Sequence, residues 1–118
     1  IPLEKIPEAT ERAIEISKKY GISPVQVSRV IGIGHNVMFA ASFSFNRADP
    51  EDMQNARDAL HETNKMVLEL GGIIWKSELA GQKLILERMD PIYKKLFNAI
   101  RNFVDPNRIM NPGNWEIF

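Results

Sequence analysis

The sequence predicts an α+β fold. An antiparallel-rich sheet carries helices on one face and is followed by C-terminal helices and an extended tail. Three observations lead there. Apolar residues recur at helical spacing in four stretches, two stretches between the first and second of these alternate with period two, and Asp-Pro, Gly-Gly and Asn-Pro-Gly signals separate the elements. The 118 residues suffice for one domain, and 44% apolar with 25% charged residues is ordinary for a globular chain.

Residues 7 to 20 read as the first helix. Pro7 suits the first turn, Ala9, Ala13, Ile16 and Tyr20 recur on one face, and Gly21 stops it. The period then changes to two. Val25, Val27, Ile31 and Ile33 share one parity, with Gln26 and Ser28 on the other. Gly32, Gly34 and Asn36 surround His35 in a turn or bulge. Val37, Phe39, Ala41, Phe43 and Phe45 then share one face of a second strand. Asp49-Pro50 opens the longest helix, because Asp49 can cap free amides and Pro50 loses nothing at the first position. Its expected buried stripe is Met53, Ala56, Leu60, Thr63, Val67 and Leu70, and Gly71-Gly72 ends it. Ile73 to Trp75 is a short strand candidate, giving a β-α-β unit with the second strand. The whole is ferredoxin-like in outline. A short helix over 79 to 89 and another over 91 to 103 follow, the latter with Ile92, Leu96, Ala99, Ile100 and Phe103 inward.

Fifteen basic and fifteen acidic side chains give zero net charge, so no basic surface speaks for nucleic acid. The absence of cysteine excludes disulfides, thiol catalysis and zinc–thiolate sites. No apolar run approaches the roughly 20 residues that span a bilayer. The two histidines, His35 and His61, lack partners at metal-ligand spacing, so no metal is expected. Gly32-Ile33-Gly34 lacks the third glycine and the following helix of a dinucleotide fingerprint. Trp75-Lys76 is the pair with the most chemistry: a flat apolar wall beside a compact cation, suited to an anionic or electron-rich ligand. The alternative is a Trp packed on helix 50–70 and a Lys in solvent. His35 likewise stands as a ligand contact or as a plain turn residue.

The run Val104-Asp105-Pro106-Asn107-Arg108-Ile109-Met110-Asn111-Pro112-Gly113 resembles the C-terminal signature of flavin-linked oxidases of the vanillyl-alcohol oxidase and p-cresol methylhydroxylase type. Phe45-Asn46-Arg47-Ala48-Asp49-Pro50 resembles the strand-to-helix junction of their cap domain, and the later elements follow in the same order. The resemblance implies that residues 1–103 form a substrate cap and that 104–118 return to an FAD-binding domain or subunit outside this chain. It implies oxidation of a small phenolic, aromatic-alcohol or hydroxy-acid substrate by hydride transfer to FAD. Lys76 is then the catalytic and flavin-facing cation. Trp75, His35 and Phe39 are substrate contacts, and Asn111, Gly113 and Asn114 are cofactor contacts. In the phenol-oxidising members a Tyr-Arg pair stands near Trp75-Lys76, and in some members a Lys stands at the position of Asn114. The chain alone is expected neither to hold FAD tightly nor to turn over, and its tail from Asn111 is expected to be poorly anchored. A homo-oligomer is compatible with this reading. The rival is a stand-alone ferredoxin-like module that binds a ligand or dimerises without catalysis.

Overall fold

The structure is a computed structural model and describes residues 1–116. It is α+β, with one two-stranded antiparallel sheet and four α-helices among the described residues. The chain divides into two compact units, Ile1–Ile74 and Trp75–Phe118.

In the first unit a 3-10 turn, Leu3–Lys5, leads into α1 (Ile6–Lys19), then β1 (Ser23–Ile31), β2 (Asn36–Ser44) and α2 (Pro50–Glu69). The α1 stripe is as the periodicity predicts: Ala9, Ala13 and Ile16 are buried and Tyr20 packs beside them. The α2 stripe is turned. Ala56, Ala59, Thr63, Met66 and Leu70 are buried, whereas Leu60 and Val67 are half-buried. Alternating spacings of three and four keep this narrower seam on one face, and small residues on both helices permit close packing. Outside the seam, Arg12 pairs with Glu69 at 2.6 Å and Lys19 with Glu62 at 2.7 Å. The Lys19 hydrogen bond holds the Glu62 carboxyl below the usual carboxylate range, and the same bond raises the Lys19 ammonium. Both groups are exposed, so the pair adds little to stability.

The start of α2 follows from its sequence. The Asp49 carboxylate accepts from Glu51 N at 2.9 Å and Asp52 N at 3.4 Å, with Pro50 in the first turn. Asn46 steadies the approach by accepting from Ala48 N at 3.0 Å. Asp49→Ala is expected to cost about 1 kcal/mol, read from the urea midpoint of the first unit's helical signal.

The hairpin runs in register from Ser23↔Ser44 to Ile31↔Asn36. The turn between needs left-handed backbone at Gly32 (φ +63°) and Gly34 (φ +94°), which glycine adopts without cost. Opposed residues share a face. Val37, Phe39 and Phe43 face the helices, so their partners Val30, Ser28 and Pro24 share that side. Gln26, opposite Ala41, donates to Thr10 O of α1 at 3.5 Å. The apolar parity of β1 is therefore the outer one: Val25 and Val27 are more than half exposed. The larger side chains of β2 take the helix side, and the turn register carries β1 with them.

Ile73 to Trp75 is not a strand, and no β-α-β unit follows β2 among the described residues. Gly71 (φ +76°) ends α2, with Gly72 N donating to Val67 O at 2.9 Å, but no strand stands beside the next residues to take their hydrogen bonds.

The second unit contains α3 (Leu79–Arg88) and α4 (Pro91–Val104). Glu78 caps α3 by accepting from Gly81 N at 3.0 Å, and Asp90 caps α4 by accepting from Ile92 N at 2.7 Å. The expected inward stripe of α4 is exposed. Ile92, Leu96, Ile100 and Phe103 all lie open, and α4 has no buried residue. The face holding Phe97, Asn98 and Arg101 is the half-buried one. On that face Arg101 bonds to the tail, through Asn114 O and Trp115 O.

The tail is curled rather than extended, and through Trp115 its backbone is hydrogen-bonded within the second unit. Both predicted turns form: Arg108 N donates to Asp105 O and Asn114 N to Asn111 O. The buried Asp105 carboxylate gathers Ile109 N and Met110 N at 3.0 Å each. Ile117 and Phe118, the end of the expected returning segment, lie outside the described residues.

Candidate functional site

The sequence candidates fall in both units. His35 and Phe39 belong to the first. His35 is exposed at the end of the hairpin turn, and Phe39 is half-buried with its ring against the core. Trp75, Lys76, Asn111, Gly113 and Asn114 belong to the second.

Within the second unit one buried side chain ties two candidate segments together. Gln82, on the first turn of α3, is 6% exposed. Its Nε2 donates to Ser77 O at 3.2 Å and to Asn114 Oδ1 at 3.1 Å, while its Oε1 accepts from Trp115 N at 2.8 Å. The segment carrying Trp75 and Lys76 and the tail carrying Asn114 are thus fixed to one amide. Arg101 completes the clamp from α4, its Nη1 donating to Asn114 O at 2.7 Å and Trp115 O at 2.8 Å. These bonds hold Trp115 at φ +52°, a left-handed conformation costing about 1–3 kcal/mol for such a residue.

The two side chains carried by this segment are open. Trp75 is 75% exposed and Lys76 is exposed beside it. The Ser77 hydroxyl is buried without a hydrogen-bond partner, an unused polar group next to this pair. Asn111 and Asn114 line a shallow pocket of about 200 Å³ with Arg101, Phe97, Val104 and Met110. Gly113 N is taken by Glu116 Oε1 at 2.7 Å.

Sequence reasoning missed Gln82 and Arg101. Each reads as an ordinary helical polar residue, and their partners lie 32 and 33 positions away for Gln82 and 13 and 14 for Arg101. The only local signal is that a glutamine in the first turn of a helix can reach back to the preceding backbone.

Among the described residues no group of three His, Asp or Glu side chains could hold a metal, and no helix is long and apolar enough to cross a membrane. The family model for FAD linked oxidases, C-terminal domain, matches residues 1–115. No curated protein and no solved structure matches the chain.

Proposed function

The chain belongs to the FAD-linked oxidase C-terminal domain family, and we propose from that premise that it is the substrate-side cap of an FAD-dependent oxidoreductase of the vanillyl-alcohol oxidase type. The substrate in this reading is a small phenol, aromatic alcohol or hydroxy acid, oxidised by hydride transfer. When bound, FAD supplies the two-electron acceptor. The observation that carries the reading is the exposed Trp75–Lys76 pair on a segment fixed by Gln82.

The residues fit a flavin as facing contacts and not as a phosphate cradle, since Gly32 and Gly34 serve the hairpin turn. The nucleotide half of the cofactor therefore falls to an FAD-binding domain or subunit. Trp75 offers a flat wall for an aromatic substrate, with one N–H donor at its rim. It cannot supply the phenolic hydroxyl of a tyrosine. Lys76 offers a compact cation, which attracts a phenolate or carboxylate and stabilises negative charge arriving at the cofactor ring. Asn111 and Asn114 would offer tail amides to the flavin domain, Asn114 through its Nδ2, because its Oδ1 accepts from Gln82. His35, exposed at the hairpin turn, is the residue this reading gives the first unit as a substrate contact. Pre-organisation of the Trp75–Ser77 segment lowers the entropic cost of orienting substrate.

The test is the rate of flavin reduction in the complete enzyme. Lys76→Ala is expected to slow it about 100-fold, the scale for removing one electrostatic stabiliser from a water-excluded site. The unfolding midpoint should stay unchanged, because an exposed lysine contributes little to folding. An unchanged rate with unchanged substrate affinity would return the pair to a surface indole and a solvated charge.

A further inference from the structure

The apolar side of α4 is uncovered along its length. At about 100° a residue, Ile92, Leu96, Ile100 and Phe103 fall within an arc of about 80°, and Tyr93 widens it to about 100°. Their exposure runs from 55% at Leu96 and Ile100 to 88% at Phe103. Packing within the second unit uses another side of the helix. Phe97, Asn98 and Arg101 are half-buried there, and Arg101 bonds to the tail.

The charges on α4 have one sign. Between Pro91 and Val104 the ionic side chains are Lys94, Lys95 and Arg101, with no carboxylate among them. Lys95 is exposed and borders the apolar arc beyond Ile92. Arg88 precedes the helix and Arg108 follows it, both exposed. The carboxylates at its two ends are turned to backbone. Asp90 accepts from Ile92 N and Tyr93 N, and Asp105 accepts from Ile109 N and Met110 N. An apolar face beside a rim of cations is the pattern of a helix that lies flat in the headgroup region of an anionic bilayer. The helix does not cross: its 14 residues span about 21 Å, short of the hydrocarbon core of about 30 Å. A second copy fits less well. Face to face, two such helices share about 200 Å² a copy, about a quarter of what each partner buries in a stable protein interface, and bring only cations to its rim.

We propose that α4 is a docking surface for an anionic phospholipid bilayer, which Ile92, Leu96, Ile100 and Phe103 enter while Lys95 stays at the headgroups. The helix axis lies parallel to the membrane plane, and the apolar face sinks about 5–10 Å into the boundary between headgroups and acyl chains. Tyr93, at the edge of the arc, sets its ring at that boundary, which favours an apolar body with a hydroxyl tip. Apolar burial supplies most of the affinity, and each cation adds about fivefold at an anionic surface. Salt weakens the second contribution and leaves the first.

The test is sedimentation of the whole chain with vesicles of phosphatidylcholine alone or mixed with phosphatidylglycerol. Binding to the mixed vesicles is expected, about tenfold or more tighter than to phosphatidylcholine alone and weakened by added salt. Phe103→Ser should lose about tenfold of it. Lys95→Gln should lose about fivefold, on the mixed vesicles only. Both residues are exposed, so circular dichroism should report an unchanged fold. The chain has no cysteine, so Phe103→Cys takes a single polarity-sensitive dye. Its emission should move to the blue on mixed vesicles, while the same dye on Glu11→Cys, exposed on α1, should not respond. No binding, equal binding to both vesicle types, or binding that Phe103→Ser leaves intact overturns the proposal. So does self-association without lipid that Phe103→Ser abolishes, which gives the face to a second copy. In the complete enzyme, a dye at position 103 already blue before lipid is added gives the face to the FAD-binding domain and overturns the proposal too.

Discussion

Gln82→Leu is expected to destabilise the second unit by about 2–3 kcal/mol, because it leaves buried polar groups unpaired while keeping the side-chain volume similar. The amide makes three hydrogen bonds, to Ser77 O, Asn114 Oδ1 and Trp115 N. Leucine replaces none of them. Without that bond from its N–H, Trp115 also has less holding it in the left-handed region. Both tryptophans of the chain, Trp75 and Trp115, belong to the second unit, so tryptophan fluorescence during urea unfolding reads this unit. Gln82→Glu separates the bonds. It keeps acceptors for Trp115 N but loses the donors to Ser77 O and Asn114 Oδ1, and it should also destabilise. In the complete enzyme Gln82→Leu should weaken substrate binding through the loosened Trp75–Lys76 segment. A midpoint within about 0.5 kcal/mol of the parent, the range of an ordinary surface substitution, would mean that Gln82 does not clamp these segments.

What could be read from the sequence is what local chemistry decides. Asp49-Pro50 and Asp90-Pro91 announce helix starts because the carboxylate reaches amides two and three residues on, and both caps form. Gly71 ends α2 and the two tail turns form for equally local reasons. The membership in the FAD-linked oxidase C-terminal family was legible in the Asp-Pro-Asn and Asn-Pro-Gly turns. Which face of an element is covered was not legible. The valines of β1 and the apolar stripe of α4 have good periodicity, yet Val25, Val27, Ile92 and Phe103 lie open. Periodicity gives a face but not its partner, and in α4 the half-buried face is the one from which Arg101 bonds to Asn114 and Trp115. The candidate site was half legible for the same reason. Trp75 and Lys76 stand out by residue type, while Gln82, bonded to Ser77 O close by, is tied to the tail by contacts distant in sequence.

Met66→Ala is expected to cost about 2–5 kcal/mol, the range for truncating a fully buried large side chain to alanine. Met66 is 0% exposed and among the largest fully buried side chains of the chain. Its neighbours in the core cluster include Ala9, Ala13 and Ala59, whose short side chains cannot move in to fill the space it leaves. The cavity therefore persists, and its cost adds to the lost transfer energy. Leu60→Ala and Val67→Ala provide the contrast. Simple periodicity places Leu60 and Val67 on the buried stripe, but both are half-buried. Each should cost about 1–2 kcal/mol, because truncation there removes only part of a buried surface. Far-UV circular dichroism during urea unfolding follows the helical signal, to which α1 and α2 contribute 14 and 20 residues. A larger loss at Leu60 or Val67 than at Met66 would place the seam on the periodic stripe and show that α2 is rotated relative to α1 from the packing described above.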